Sequence, residues 1–245
     1  MIKILIGFPT YDGQKYCADR FYTHLKQLEI PENTEIEIFI VDTSKTDDYA
    51  NELKQKGFDV VKLPHIPNTM QNISQGRKRV REEALKRDAD YLFFVDTDIM
   101  LPPNALKKLL NHNKDIINGL YLGILEFDGK KRVVPIAYAI VDQESVRHLT
   151  KKEVEQPQLM EIGAAGLGCT LITKQVLKKV DFSITREDNC NEDAGFYKDC
   201  RAHGFKIYLD TSIRCIHQDY PENDPRNNLF LFEQPNTSAS FSYNL

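Results

Sequence analysis

Two aspartates one residue apart close an apolar run in "YLFFVDTDIMLPP", residues 91–103. Carboxylates at the end of so apolar a segment are costly to desolvate unless an opposite charge compensates them. A divalent cation would do so. Hard carboxylate oxygens suit Mg²⁺ or Mn²⁺, which commonly bridge one or two protein carboxylates to a phosphate. Helix capping is the plainer use of such residues. However, Pro102 and Pro103 already open the next helix, and one cap does not require two acids. Polar groups end other apolar runs as well. Pro9, Thr10, Tyr11 and Asp12 follow the first, Asp42 with Thr43 and Ser44 ends the second, and His217 ends the last. Glu192 and Asp193 form another acid pair, which the dipole of a following helix would also favour.

These residues can act together only if the chain's elements carry them to one place. "IKILIGF", "EIEIFIVD", "FDVVKLP" and "DYLFFVD" read as strands. "YCADRFYTHLKQLE", "DDYANELKQKG" and "SQGRKRVREEALKRDA" between them read as amphipathic helices. The β-α-β-α-β-α-β order predicts a mainly parallel sheet with helices on both faces. In such sheets ligands bind at the carboxyl ends of the strands, where Asp42, Asp96 and Asp98 lie. The second half is less regular. "PNALKKLLNH" predicts a short helix, and "DIINGLYLGIL" and "KRVVPIAYAIV" a hairpin. Residues 142–160 predict a surface loop or short helix. "GAAGLGCTLITKQVLKKV" predicts a turn, strand and helix, "NEDAGFYKDCRAHG" a helix, and "FKIYLDTSIRCIH" a last strand. Residues 221–245 offer few core positions and read as a tail or flap.

Composition narrows the function classes. A formal net charge of -4 gives no reason to expect a nucleic-acid or anionic-membrane surface. The first apolar run is too soon interrupted for a signal peptide, and no stretch approaches the roughly 20 apolar residues of a membrane span. Five cysteines without a C-x-x-C pair read as reduced thiols of a cytoplasmic chain. A zinc site from Cys190, Cys200, His203 and Cys215 is the alternative, at a spacing that matches no common zinc pattern.

"DADYLFFVDTDIMLPPNALKKLL" resembles the D-x-D region of GT-A fold glycosyltransferases, especially family 2. "ILIGFPTYDG", "IFIVDTSKTDD", "ISQGRKRVREEAL", "AAGLGCTLITKQVL" and "NEDAGFYKDCRAHGFKIYLDTSIRCIH" resemble further segments of that family, in its order, over roughly residues 2–220. The resemblance implies an α/β, Rossmann-like GT-A sheet with a smaller antiparallel acceptor-side part. Residues 1–110 would form the nucleotide-sugar half, 111–220 the acceptor half, and 221–245 a tail or flap. It implies Mn²⁺ or Mg²⁺ on Asp98 and His217, with Asp96 at the ribose or helping position the ion. Pro9, Thr10, Tyr11 and Asp42 would cradle the nucleotide, with Tyr11 stacking on the base.

Other roles follow from the same resemblance. Arg77 and Arg81 share a helix face. Arg77, beside Gly76, is a candidate for pyrophosphate contact, whereas Arg81 reads as part of a solvated face pairing with Glu82 and Glu83. Gly166 lies in a glycine turn that either precedes a buried strand or allows close approach to the donor sugar. Asp193 would be the general base of an inverting transfer and Glu192 would bind sugar hydroxyls; a retaining route stays open. The implied activity is metal-dependent hexosyl transfer from a nucleotide-diphosphate sugar to a hydroxyl of a glycan, lipid-linked or small-molecule acceptor. The expected place is the cytoplasm, with peripheral membrane association left open. Two alternatives stand beside it: a catalytically silent nucleotide- or carbohydrate-binding module on the same fold, and a Mg²⁺-dependent phosphatase of the haloacid dehalogenase type. The chain departs from the family in having no Trp and no C-terminal Q-x-x-R-W.

Overall fold

The computed structural model describes residues 1–142, 145–183 and 191–232. The first half runs β1 (Ile2–Thr10), α1 (Lys15–Lys26), β2 (Thr34–Asp42), α2 (Asp48–Gln55), β3 (Val60–Lys62), α3 (Thr69–Lys86), β4 (Tyr91–Val95), β5 (Ile99–Met100) and α4 (Ala105–Asn111). The second continues with β6 (Ile116–Leu120), β7 (Leu122–Phe127), β8 (Lys130–Pro135), β9 (Ala137–Ile140), β10 (Val146–His148), β11 (Leu159–Ile162), β12 (Ala164–Ala165) and β13 (Cys169–Thr173). It closes with α5 (Lys174–Lys179), α6 (Glu192–Ala202), β14 (Ile207–Arg214) and β15 (Ile216–His217).

Eight strands form one sheet in the order β11-β14-β6-β13-β4-β1-β2-β3. β3, β2, β1 and β4 pair in parallel, as do β6 and β14. β13 and β11 run against their neighbours. Since β13 is antiparallel to both β4 and β6, those two strands point the same way. Six strands therefore present their carboxyl ends to one edge. Both faces are covered, which is why β4 and β6 are apolar runs rather than alternating ones. Phe21, Leu25, Tyr49, Leu53, Leu106 and Leu109 of α1, α2 and α4 fill one side. Val80, Ala84, Val176, Leu177, Phe196 and Tyr197 of α3, α5 and α6 fill the other.

α3 starts where the Asn68 side chain accepts a hydrogen bond from the Gln71 N–H. It lies close on β1: a Cβ at Gly76 would stand 2.6 Å from Pro9 Cβ. That approach sets Arg77 over the edge where the strands end. α6 is tied down by a buried polar network. Tyr197 Oη and Thr170 Oγ1 donate to Asn118 Oδ1 at 2.5 and 2.7 Å, and Asn118 Nδ2 donates to the Tyr208 carbonyl at 2.9 Å.

Several expectations change. "DIINGLYLGIL" is not one strand. It breaks at Tyr121, whose side chain is buried against Gly166 and Gly168, so β6 joins the central sheet and β7 pairs with β8. The helix after the prolines begins at Ala105, because Pro102 and Pro103 form a turn closed by the Ala105 N–H on the Pro102 carbonyl at 3.0 Å. Residues 146–148 form an edge strand, and residues 151–154 a 3₁₀ turn with a Thr150–Glu153 capping box. In the C-terminal segment Pro225–Phe230 forms another 3₁₀ turn that seats Phe230, with no exposure, against His217. Residues 233–245 of that segment lie outside the described residues. No helix among the described residues is long and apolar enough to cross a membrane.

The Asn118 network makes a graded prediction. Tyr197→Phe removes one donor while Thr170 still satisfies Asn118, and should cost about 1 kcal/mol. Asn118→Leu removes the acceptor of two hydroxyls and the donor to the Tyr208 carbonyl and should cost about 2–4 kcal/mol. Urea unfolding of both variants checks the order.

Candidate active site

β1 and β2 end in register, Thr10 opposite Asp42, and β4 ends beside them at Val95. Residues 96–98 then turn sharply, with the Ile99 N–H on the Asp96 carbonyl at 3.0 Å. β5 leaves this turn and pairs antiparallel with β15, His217 opposite Ile99. The Gln218 N–H donates to the Asp98 carbonyl at 2.7 Å. This two-residue ribbon joins positions more than a hundred residues apart and brings His217 Nε2 to 3.8 Å from Asp98 Oδ2. His217 Nδ1 lies 3.1 Å from the Leu122 carbonyl, which accepts only, so Nδ1 carries a hydrogen and Nε2 faces Asp98. Burial lowers the imidazole's proton affinity, but Asp98, Asp219 and the Leu122 carbonyl together raise it, and the balance lies above the ordinary value.

Gln14 completes this corner, and nothing in its spacing announced it. Its Nε2 donates to Asp98 Oδ2 at 3.4 Å, and its Oε1 accepts from Thr97 Oγ1 at 2.5 Å. Tyr16 Oη donates to the Gln218 carbonyl at 3.0 Å, and Arg20 Nη1 to Gln218 Oε1 at 3.1 Å. α1 thus clamps the chain that delivers His217.

Arg77 lies deeper, with 4% exposure. Its Nη2 donates to Asp96 Oδ1 at 3.1 Å, and its Nε lies 3.5 Å from Glu192 Oε1. Among the described residues Nε and Nη1 have no hydrogen-bond partner. Arg81 turns away to Asp181 and the Leu177 carbonyl, rather than to Glu82 or Glu83. Burial raises the Asp96 carboxyl above its ordinary value even with Arg77 beside it. Glu192 and Asp193 open α6, with Asn191 accepting from the Ala194 N–H as cap. Burial, then the Glu192 charge, push Asp193 up to about 7.

Pro9, Thr10, Tyr11, Gln14, Thr43, Ile73, Arg77, Asp96, Asp98, Glu192 and Asp193 line one cleft of about 230 Å³. Asp42 and Gly166 are not among its lining residues. Asp42 is fully buried; its Oδ1 accepts from the Ser44 N–H and hydroxyl at 3.1 and 2.5 Å, while Oδ2 has no partner. Gly166 packs under Tyr121, where a Cβ would strike the phenol oxygen. A larger cavity of about 500 Å³, lined by Lys78, Asp181 and Phe182 among others, shares no residue with the cleft, and its Asp181 is already paired with Lys78 and Arg81.

The zinc alternative does not assemble. Cys190 lies outside the described residues, Cys215 bonds the Cys169 thiol in the core, and His203 Nδ1 faces the Asp199 carbonyl on its own helix. Among the described residues no three His, Cys, Asp or Glu side chains form a ready-made metal cage. The pair Asp98 and His217 could hold a hard divalent cation whose remaining positions are filled by ligand oxygens, as Mg²⁺ commonly requires.

The sequence model described as "Glycosyl transferase family 2" matches residues 6–180. The chain is 29% identical over 141 residues to the poly(ribitol-phosphate) beta-N-acetylglucosaminyltransferase TarP of Staphylococcus aureus (strain N315), covering 56% of this chain and 41% of TarP. GalNAc-T7 with UDP, GalNAc and Mn²⁺ superposes with a TM-score of 0.63 at 13% identity, over 89% of this chain and 44% of that one. S. aureus TarS 1-349 in complex with UDP-GlcNAc superposes with a TM-score of 0.49 at 15% identity, over 90% and 57%. The chain spans less than half the length of TarP and of GalNAc-T7. The fold is GT-A.

Asp193 gives a stability test without substrate. Its carboxyl binds a proton more tightly folded than unfolded, so its contribution is full below pH 4 and is lost as pH rises to about 7. Asp193→Asn should therefore melt above the parent at pH 8, an advantage that vanishes near pH 4. Thermal unfolding in chelator-treated buffer measures it.

Proposed function

The chain belongs to glycosyl transferase family 2, and on that premise we propose that it is a metal-dependent hexosyltransferase moving a sugar from a nucleotide-diphosphate donor to an acceptor hydroxyl with inversion. One observation carries the metal and donor assignments: Asp96, Asp98, Glu192 and Asp193 line a single cleft in which, among the described residues, Arg77 is the one lining guanidinium or ammonium. So unbalanced a group of acids at the end of a buried strand suits a divalent cation carrying a diphosphate. The family assignment sets aside the phosphatase reading.

Pro9, Thr10, Tyr11 and Thr43 offer the wall for the nucleoside, with the half-exposed Tyr11 ring free to stack. The orphaned Asp42 Oδ2 lies behind that wall and suits a base or ribose donor once Thr43 shifts. Asp96, oriented by Arg77, faces the ribose. Asp98 and His217 would hold Mn²⁺ or Mg²⁺, which when bound supplies charge stabilisation to the leaving diphosphate. Arg77 brings its Nη1, without a hydrogen-bond partner among the described residues, to the same edge and suits the pyrophosphate. Asp193, with its proton affinity near neutrality, accepts the proton of the attacking hydroxyl as that oxygen bonds the anomeric carbon and the bond to the diphosphate breaks. Glu192 orients sugar hydroxyls. TarP, by its name, transfers N-acetylglucosamine to a polyol phosphate, and that supports a hexosamine donor and a hydroxyl-rich glycan or polyol acceptor.

Thermal-shift screening of UDP-, GDP- and dTDP-sugars with and without Mn²⁺ should show donor stabilisation that needs the cation. Asp98→Ala and His217→Ala should abolish Mn²⁺-dependent nucleotide-diphosphate binding in calorimetry; unchanged affinity in both would sink the metal assignment. Asp193→Asn should bind donor normally and transfer about 10²–10⁴-fold more slowly; full transfer activity would remove it as the base.

A further inference from the structure

A third cavity, of about 360 Å³, lies across His217 from the cleft and has no role in the chemistry above. Leu122, Lys151, Lys152, Val154, Glu155, Arg214, Leu231 and Phe232 line it. Its position is fixed by topology. Arg214 ends β14, and Leu122 follows the end of β6. Both strands run parallel to β4, so the cavity opens on the same sheet edge as Asp96 and Asp98. The partition between the two sites is thin. His217 Nδ1 bonds the carbonyl of Leu122, and the His217 ring stands 5.1 Å from that of Phe230, whose next two residues line the cavity.

The cavity's charge contrasts with that of the chain. Lys151, Lys152 and Arg214 face Glu155 alone, an excess of two positive charges in a chain of net charge -4. Among the described residues none of these three cations is paired with a carboxylate. Arg214 donates only to the backbone carbonyls of Thr211 and Glu155, with its guanidinium over the Phe232 ring. The nearby acid Glu153 is taken by Arg147 and by the Thr150 capping box. Buried Val154 pins the turn that presents the two lysines. Two exposed lysines and a held guanidinium, none paired with a carboxylate among the described residues, over an apolar floor suit an anion attached to a carbon skeleton.

We propose that this cavity is an acceptor subsite for an anionic chain, binding a phosphate or carboxylate group of the acceptor while a neighbouring hydroxyl reaches Asp193. This deepens, and rests on, the transferase reading. Leu122, Val154 and Leu231 contact the carbon skeleton, and Lys151, Lys152 and Arg214 hold the anion.

The test measures binding of three probes by calorimetry at low and moderate salt: oligomeric glycerol phosphate, oligogalacturonate and an uncharged dextran oligomer. UDP, GDP and dTDP with Mn²⁺ are titrated in parallel. At least one anionic oligomer should bind more tightly than dextran, and which one identifies the anion. The exposed double variant Lys151→Gln/Lys152→Gln should weaken that binding about 5–10-fold and flatten its salt dependence, with nucleotide binding unchanged. Arg214→Gln should weaken it further; because its carbonyl contacts also support the fold, the lysine variant decides the matter. Equal affinity for dextran, or unaltered polyanion binding by the lysine variant, would overturn the subsite. Polyanion binding lost with the lysines in a chain that binds no nucleotide would support the anion site and overturn the donor reading.

Discussion

A single guanidinium set among carboxylates organises this edge of the molecule. Arg77 reaches Asp96 from α3 and stands near Glu192 at the start of α6. It thereby joins three elements distant in sequence: the helix after β3, the end of β4 and the helix before β14. Removing so buried a cation would leave acids whose desolvation nothing offsets. The acids nonetheless outnumber it. The raised proton affinities of Asp96 and Asp193 express that excess, since burial and neighbouring carboxylates make each bind a proton more tightly. A site so biased is least stable when empty and deprotonated, and a bound cation would relieve the bias.

The rest of the fold can be read as the means of holding these charges in place. α3 lies near enough to β1 that only glycine fits at position 76. The Asn118 network fixes α6, and with it Glu192 and Asp193, to the central strands. The β5–β15 ribbon and the α1 contacts to Gln218 carry His217 to Asp98. Each device belongs to the rigid sheet or to an element tied to it, which suits groups whose spacing decides whether a proton or an ion is shared. The basic cavity near His217 extends the same edge with charge of the opposite sign, so one rim of the sheet carries an acidic and a basic region.

Much of this was legible from local pattern. The parallel half was readable because two covered faces demand apolar runs, and the helices between them keep a 3.6-residue period. Asp96 and Asp98 stood out because acids directly after "YLFFV" contradict the burial of that run. Less was legible where pairing is distant. Gln14 has no motif, and only its contacts to Asp98 and Thr97 reveal it. Phe230 sat in a polar segment and read as tail, yet it is fully buried against His217. "DIINGLYLGIL" has continuous strand character, and only the burial of Tyr121 beside Gly166 and Gly168 divides it.

The sequence by itself pointed to residues that could do chemistry and to the ends of β1, β2 and β4 near which most of them lie, because strand direction and apolar periodicity are short-range properties of the chain, whereas His217 lies past the end of β14 on the β5–β15 ribbon. Tertiary structure alone decided which of them face one another. It turned Asp42 inward to Ser44, put Gly166 under Tyr121, gave Asp96 to Arg77 and set His217 beside Asp98. Those outcomes depend on register across a sheet and on the shared cost of desolvating several charges at once. Neither quantity belongs to any one segment, so no segment could announce it.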